Sequence, residues 1–313
     1  MASQQTRLAL GAALVTVTLW ASAFVGIRAA RIDLTAGPLS LARLLVGALV
    51  LGAVVAWRRE PLPPRRDVPQ LVLCGLLWFG AYNVLLNEAE RRVDAGTAAM
   101  LVNVGPILIA VLAGLLLGEG FPRRLLVGCL VAFGGAIVIG ASTSRGGLDA
   151  GWGALLCLGA AATYAGGVVA QKPLLERTSA LQVTFLACVV GAVACLPFGP
   201  GLAREVGDAS APALAWAVYL GIFPTAIGFT TWAYALRRTS AGRMGATTYL
   251  VPPLAIVIAW AMLGETPPAL AFAGGALCLV GVAVTRGARL PRWAGRTVAY
   301  VVSSVTLAQL RGR

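Results

Sequence analysis

Residues 91–124, RRVDAGTAAMLVNVGPILIAVLAGLLLGEGFPRR, and residues 237–270, RRTSAGRMGATTYLVPPLAIVIAWAMLGETPPAL, follow one plan. At an offset of 146 residues, Arg91-Arg92 meets Arg237-Arg238 and Ala95-Gly96 meets Ala241-Gly242. Pro106 meets Pro252, and Leu117-Gly118-Glu119 meets Leu263-Gly264-Glu265. Pro122, Gly128 and Gly135 then meet Pro268, Gly274 and Gly281, and about 13 of 44 positions agree without a gap. Apolar sequence matches itself often by chance, but a series of Pro, Leu-Gly-Glu and Gly at fixed spacing does not, so the chain carries an internal repeat. At an offset of 142, Gly11-Ala12 meets Gly153-Ala154, which carries the repeat to the first helix of each half.

The repeat unit belongs in a membrane. Of 313 residues 58% are hydrophobic and 12% charged, with a mean hydropathy of +0.83. A water-exposed domain carries about 25% charged residues. Apolar runs of roughly 18–22 residues recur between short basic or Pro/Gly-rich breaks, each long enough to cross about 30 Å of hydrocarbon as a helix. Ten spans are expected, at 8–27, 36–56, 70–88, 95–117, 123–141, 151–171, 180–198, 212–235, 241–263 and 269–285. The fold class is therefore all-α, a polytopic membrane protein with residues 1–145 and 146–290 as the two halves and 291–313 as a basic tail. Five spans is an odd number, so the second half enters from the opposite side, making the repeats inverted. Arg7, Leu8 to Trp20 and Ala21-Ser22-Ala23 also resemble a signal peptide. The apolar run continues to Ile27, so a retained first helix is expected.

Charge placement orients the chain. With the N-terminus inside, about 18 of the 25 basic residues fall on inner segments and about 6 on outer ones, with Arg43 inside the second span. That bias places both termini in the cytoplasm, in the cytoplasmic membrane. The net charge of +13 sits in the breaks between spans. A nucleic-acid-binding face would gather it in one stripe, so the lipid surface is the expected partner and nucleic acid is not. The chain has no histidine, and its six cysteines lie singly within apolar runs. Metal centres, cofactors and Ser–His or HExxH catalysis are therefore not expected, and the chain is not read as an enzyme.

At Trp20-Ala21-Ser22-Ala23-Phe24-Val25 the first span resembles the W-x-S-x-F-V signature of EamA-type proteins, a branch of the drug/metabolite transporter superfamily. Arg43 in the second span, the Ala-Gly pairs opening the fourth and ninth, Pro106, Pro252 and both Leu-Gly-Glu sequences extend the resemblance over about 5–290. It implies a ten-helix transporter, often an exporter of small metabolites including amino acids, with a central cavity.

The residues themselves suggest where such a cavity lies. Pro106 and Pro252 each remove a backbone N–H and free a carbonyl, tolerated at membrane depth only beside protein or a watery hollow. Asn103, Thr248 and Tyr249 lie within a turn of these kinks. Asn83 and Asn87 share a helical stripe with Phe79 and Glu90, and Tyr82 lies beside it. Phe229 and Trp232 cluster on the eighth span, and Trp20 and Tyr164 occupy the first and sixth. These ten residues, Trp20, Tyr82, Asn83, Asn87, Asn103, Tyr164, Phe229, Trp232, Thr248 and Tyr249, are the expected substrate-binding set. The alternatives are packing kinks and interfacial anchoring of Trp and Tyr.

Arg43, Pro106, Glu119, Pro252 and Glu265 are expected to be structural or gating residues. Arg43, a charge inside a span, could bind an anionic substrate group, but it lies near Pro38 and can snorkel to the interface, which favours the structural role. Glu119 and Glu265 sit where a carboxylate meets free N–H groups at a helix start. Glu88 and Glu90, beside Arg91 and Arg92, are expected to be solvated or paired. The reading is a secondary transporter, an exporter working by alternating access on small neutral or zwitterionic metabolites such as amino acids, as a monomer or homodimer.

Overall fold

The computed structural model describes residues 2–92, 101–143, 152–263 and 269–286. Every regular element among them is helical. In chain order these are α1 (Ala2–Ala30), α2 (Ala36–Arg58), α3 (Arg65–Ala89), α4 (Gly105–Leu116), α5 (Arg123–Thr143) and α6 (Trp152–Arg177). Then come α7 (Ala180–Ala194), α8 (Gly199–Asp208), α9 (Ala211–Leu236), α10 and α11 (Ala269–Thr285). α10 comprises Ala241–Thr247 and Val251–Leu263, joined by a 3-10 turn at Thr248–Leu250.

Among the described residues six helices are long and apolar enough to cross a bilayer: Gln4–Ala30, Ala36–Arg58, Arg65–Ala89, Trp152–Arg177, Ala211–Leu236 and Ala241–Met262. A seventh candidate is α7 joined to Leu196–Asp208 across a 50° bend, and Gly105–Leu116 and Ala269–Thr285 are shorter apolar helices. Leu115, Leu116, Leu130, Leu158, Phe272 and Leu279 are exposed on the outside of the bundle. Apolar exposure on that scale marks a lipid-facing surface. This is a multi-pass membrane protein. Ala95-Gly96, Glu265 and the 291–313 tail lie outside the described residues.

One expected boundary shifts. The span expected over 180–198 stops at Ala194, where Pro197 and Pro200 interrupt the backbone ladder and α8 turns away. α8 packs on the start of α2, with Phe198 so close to Gly37 that a Cβ there would lie 2.3 Å from the ring. The Glu205 carboxylate accepts from the Thr35 backbone N–H at 2.8 Å and from its hydroxyl. Asp33 accepts from the Ser210 backbone N–H (2.9 Å) and hydroxyl, capping the start of α9. Those bonds hold the Asp33 carboxyl below its ordinary range, so this clasp persists at neutral pH and is lost as pH falls through the folded value.

Two helices widen at equivalent places. α3 is π-helical over Gly75–Ala81 and α9 over Gly221–Gly228, 146 residues apart at their first residues. In α9 the cause is Pro224, which has no N–H to give. Side chains mend the loosened ladders. Thr225 Oγ1 donates to Leu220 O (2.8 Å), and Asn83 Nδ2 donates to Phe79 O (2.8 Å). Each opening glycine admits a neighbour. A Cβ on Gly75 would lie 2.6 Å from Val190 of α7, and one on Gly221 would lie 2.5 Å from Val46 of α2.

Among the described residues α5 and α11 form the most extensive helix pair. A Cβ on Gly128 would lie 2.6 Å from Gly281 O, and one on Gly135 would lie 2.5 Å from Gly274 O. The partner number falls as the residue number rises, so the helices run antiparallel. Under the 146-residue offset the two contacts exchange places, as in a two-fold interface.

Glu119 links elements distant in sequence. Gly118 (φ 67°) and Gly120 (φ 68°), on either side of it, take the left-handed turn that glycine adopts without strain. The carboxylate then accepts from the backbone N–H groups of Ala241 (2.6 Å) and Gly242 (3.2 Å). It thus caps α10, whereas the sequence placed it at the start of the α5 that follows it. Glu119→Ala should lower the unfolding midpoint in detergent by the equivalent of about 1 kcal/mol, the usual worth of such a cap. Glu119→Gln should retain roughly half of that.

Candidate functional site

Seven aromatic side chains from four helices converge at the bundle centre: Trp20 of α1, Trp78, Phe79 and Tyr82 of α3, Tyr164 of α6, and Phe229 and Trp232 of α9. Trp20 stacks on Trp232 with centroids 5.0 Å apart and meets Trp78 edge-on at 6.0 Å. Trp78 lies 4.9 Å from Phe229 and 5.5 Å from Tyr164. Tilted and edge-on pairs at these distances are the favoured arrangements of aromatic quadrupoles. The Trp20 indole N–H donates to Pro224 O at 3.2 Å, within the π stretch of α9. Thr16 and Thr231 share a 2.9 Å hydroxyl contact, and Ser22 and Tyr219 one of 2.7 Å, which tie α1 to α9 above and below.

Beside this cluster is a hollow of about 90 Å³, or about 770 Å³ when the open solvent at its mouth is counted. Trp20, Trp78, Tyr82, Tyr164 and Phe229 form its aromatic wall. Ala23, Phe24, Ile27, Leu86, Val102 and Val251 add apolar surface, and Arg43, Asn103, Pro106 and Thr248 complete the lining. Among the described residues no carboxylate lines it.

Arg43 was expected to snorkel, and it does not. The first residues of α2, Ala36 to Leu41, are themselves buried beneath α8, so Arg43 lies deeper than its distance from Pro38 suggests. Its side chain is 5% exposed and faces the hollow. Nε donates to Thr225 Oγ1 at 3.2 Å.

Six of the ten expected binding residues meet on the lining: Trp20, Tyr82, Asn103, Tyr164, Phe229 and Thr248. Four lie elsewhere. Asn83 is spent on the α3 backbone, at Phe79 O. Asn87 donates to Ser40 Oγ (2.8 Å) and ties α3 to α2. Trp232 is fully buried behind Trp20. Tyr249 is fully buried among α5 and α11 residues such as Cys129, Ala132 and Cys278. Of the structural set, Pro106 lines the hollow together with Arg43, and Pro252 is buried within α10.

The lining also gains Trp78, Phe24, Ile27, Leu86, Val102 and Val251. Their signal in the sequence, apolarity, is shared by every lipid-facing residue. Glu88 pairs with Arg91 and Arg92 as expected. Glu90 does not pair with them: it is 6% exposed, faces Arg31, Arg28 and Arg43 electrostatically, and its Oε1 has no hydrogen-bond partner among the described residues.

The end of the bundle away from Arg43 is closed. Lys172 Nζ donates to Leu236 O and Thr239 O, both at 2.7 Å. Arg177 grips the Asp67 carboxylate with Nε and Nη2, at 3.0 and 2.6 Å. With the Glu119 cap, these bonds join α3, α6, α9 and α10 at that end. Asn103→Ala should reduce substrate handling about tenfold, roughly 1.4 kcal/mol. Tyr249→Phe, off the lining, should leave it within about twofold, both read as flux at low substrate.

The sequence profile of the EamA-like transporter family matches residues 7–141 and again 151–287. A protein of Streptantibioticus cattleyicolor named a probable terminal-alkyne amino-acid exporter is 40% identical over 274 residues, covering 88% of this chain and 92% of its own. The uncharacterized transporter YdfC of Bacillus subtilis is 35% identical over 271 residues, covering 86% and 88%. A solved crystal structure superimposes with a TM-score of 0.70 at 21% identity, across 90% of this chain and 96% of that one. At that identity the match shows the fold alone.

Proposed function

The chain belongs to the EamA-like transporter family, and from that premise we propose that it exports amino acids or related zwitterionic and neutral metabolites by alternating access. The observation that carries this reading is the hollow itself. It is walled by α1, α2, α3 and α4 from the first half and by α6, α9 and α10 from the second. A site shared between two halves is the arrangement alternating access requires. The Streptantibioticus relative's name supports amino acids as the substrate class.

Ten membrane helices in two inverted repeats are part of the same proposal. The antiparallel, offset-matched contacts of α5 and α11 and the paired π stretches of α3 and α9 support it. So does the double match to the family profile. Both termini lie in the cytoplasm and the protein sits in the cytoplasmic membrane, as the basic residues argue. In that orientation the hollow opens toward the outside, and the Glu119, Lys172 and Asp67–Arg177 bonds close the inside. The unit is a monomer or homodimer.

Purified full-length protein in liposomes should give saturable flux of labelled small amino acids. Absence of saturable flux across panels of amino acids, amines and sugars would overturn the transport reading. A C-terminal tag reached from outside the cell would overturn the orientation.

A further inference from the structure

The sequence favoured neutral or zwitterionic substrates, with no carboxylate deep in a span and Arg43 read as structural near the outer end of its own. The structure places one cation there. Arg43 is only 5% exposed, and it reaches the hollow from α2. Among the described residues its guanidinium makes one hydrogen bond, through Nε to Thr225, and no ion pair within 4 Å; the buried Glu90, off the lining and shared with Arg31 and Arg28, acts on it only from beyond that distance. A buried charge without a counter-charge in contact is unfavourable unless water or a ligand completes its shell. Thr225 is itself fully buried, and its hydroxyl is anchored to Leu220 O at 2.8 Å in the π stretch of α9. The guanidinium therefore has one edge fixed by the second half of the protein and the other edge free toward the hollow.

We propose that Arg43 is the carboxylate anchor of this transporter and restricts its cargo to solutes that carry a carboxylate. The inference rests on the transport reading and narrows it. A planar fork of N–H donors matches a carboxylate with two parallel bonds. No anion on the lining competes for it. The same imbalance repels a simple amine, whose single positive charge would face Arg43 with no acid among the described residues of the lining to receive it. An amino acid is accepted because its carboxylate neutralises Arg43. Its ammonium can then face the Tyr82 and Thr248 hydroxyls and the Trp20 ring. The side chain is left to the apolar wall of Ile27, Leu86 and Val251. Because Thr225 holds the guanidinium from α9, carboxylate binding also engages both halves through one side chain.

The test uses purified full-length protein in detergent and the fluorescence of the wall tryptophans. The probes are leucine, 4-methylpentanoate, leucinamide and 3-methylbutylamine, which share an apolar tail. The wild type should bind the two carboxylates at least tenfold more tightly than leucinamide or the amine. Arg43→Gln should erase that preference, Arg43→Lys should keep part of it, and Thr225→Val should weaken it while leaving the charge in place. Unchanged or improved amine binding by Arg43→Gln would show that the variant is folded. Equal affinities for all four probes in the wild type would overturn the proposal, as would a preference that survives in Arg43→Gln. Saturable liposome flux of amines or amides alone would sink the Arg43 assignment and leave transport standing. Carboxylate-selective binding without flux would do the reverse.

Discussion

Gly135→Ala should destabilise the purified protein by about 3 kcal/mol, the upper end of ordinary overpacking, whereas Gly134→Ala, one residue away, should leave it as stable or up to about 1 kcal/mol more so. The added carbon at Gly135 would stand 2.5 Å from Gly274 O and 2.7 Å from Cys278 N, both backbone atoms of α11. Neither can rotate aside, so the helices must separate. Separation breaks the matching contact at Gly128 and Gly281, because the same pair of rods carries both. At Gly134 nothing lies within 4 Å, and alanine is the better helix former by about 1 kcal/mol. The comparison is made by heating each protein in detergent and following the monodisperse peak on size exclusion. Equal midpoints for the two variants would mean that α5 and α11 do not meet as described.

Trp20→Ala should abolish measurable flux and lower stability by about 2–3 kcal/mol, short of the roughly 3–5 kcal/mol for a fully buried aromatic because Trp20 is only half-buried. Trp20 stacks on Trp232, meets Trp78 and Phe229, and donates to the carbonyl of Pro224. Removing it would empty the wall between α1 and α9 and open the hollow to the space in front of Trp232. Trp20→Phe keeps an aromatic wall but loses the hydrogen bond, and should retain flux within about tenfold of the wild type. Flux by Trp20→Ala equal to that of the wild type would place the transported solute elsewhere.

The sequence made the membrane character legible because physics leaves little choice there: a helix crossing hydrocarbon needs about 20 apolar residues. The repeat was legible because Gly, Pro and Leu-Gly-Glu serve backbone geometry, which tolerates few substitutes. The site was half legible. Trp20, Tyr82, Tyr164 and Phe229 combine bulk with a position near the middle of a span, and these reached the lining. Asn83 and Asn87 did not, because the stripe joining them to Phe79 assumes an uninterrupted α-helix. The π stretch at Gly75–Ala81 adds a residue to the turn and rotates the remainder of α3 by about 100°. It then uses the Asn83 amide to satisfy the carbonyl it frees. Tyr249 was displaced by the 3-10 turn at Thr248–Leu250 in the same way. Arg43 was misplaced for a different reason: the depth of a helix start depends on α8 lying over it, and a local sequence does not reveal what covers it.

The glycine joint between α5 and α11 bears on how the cycle is driven. If one half rocks against the other, a contact that maps onto itself when the halves are exchanged strains equally in either tilt. It is a fulcrum without a preferred side. Any resting bias must then come from parts lacking such reciprocity, among them the Glu119 cap and the Lys172 latch.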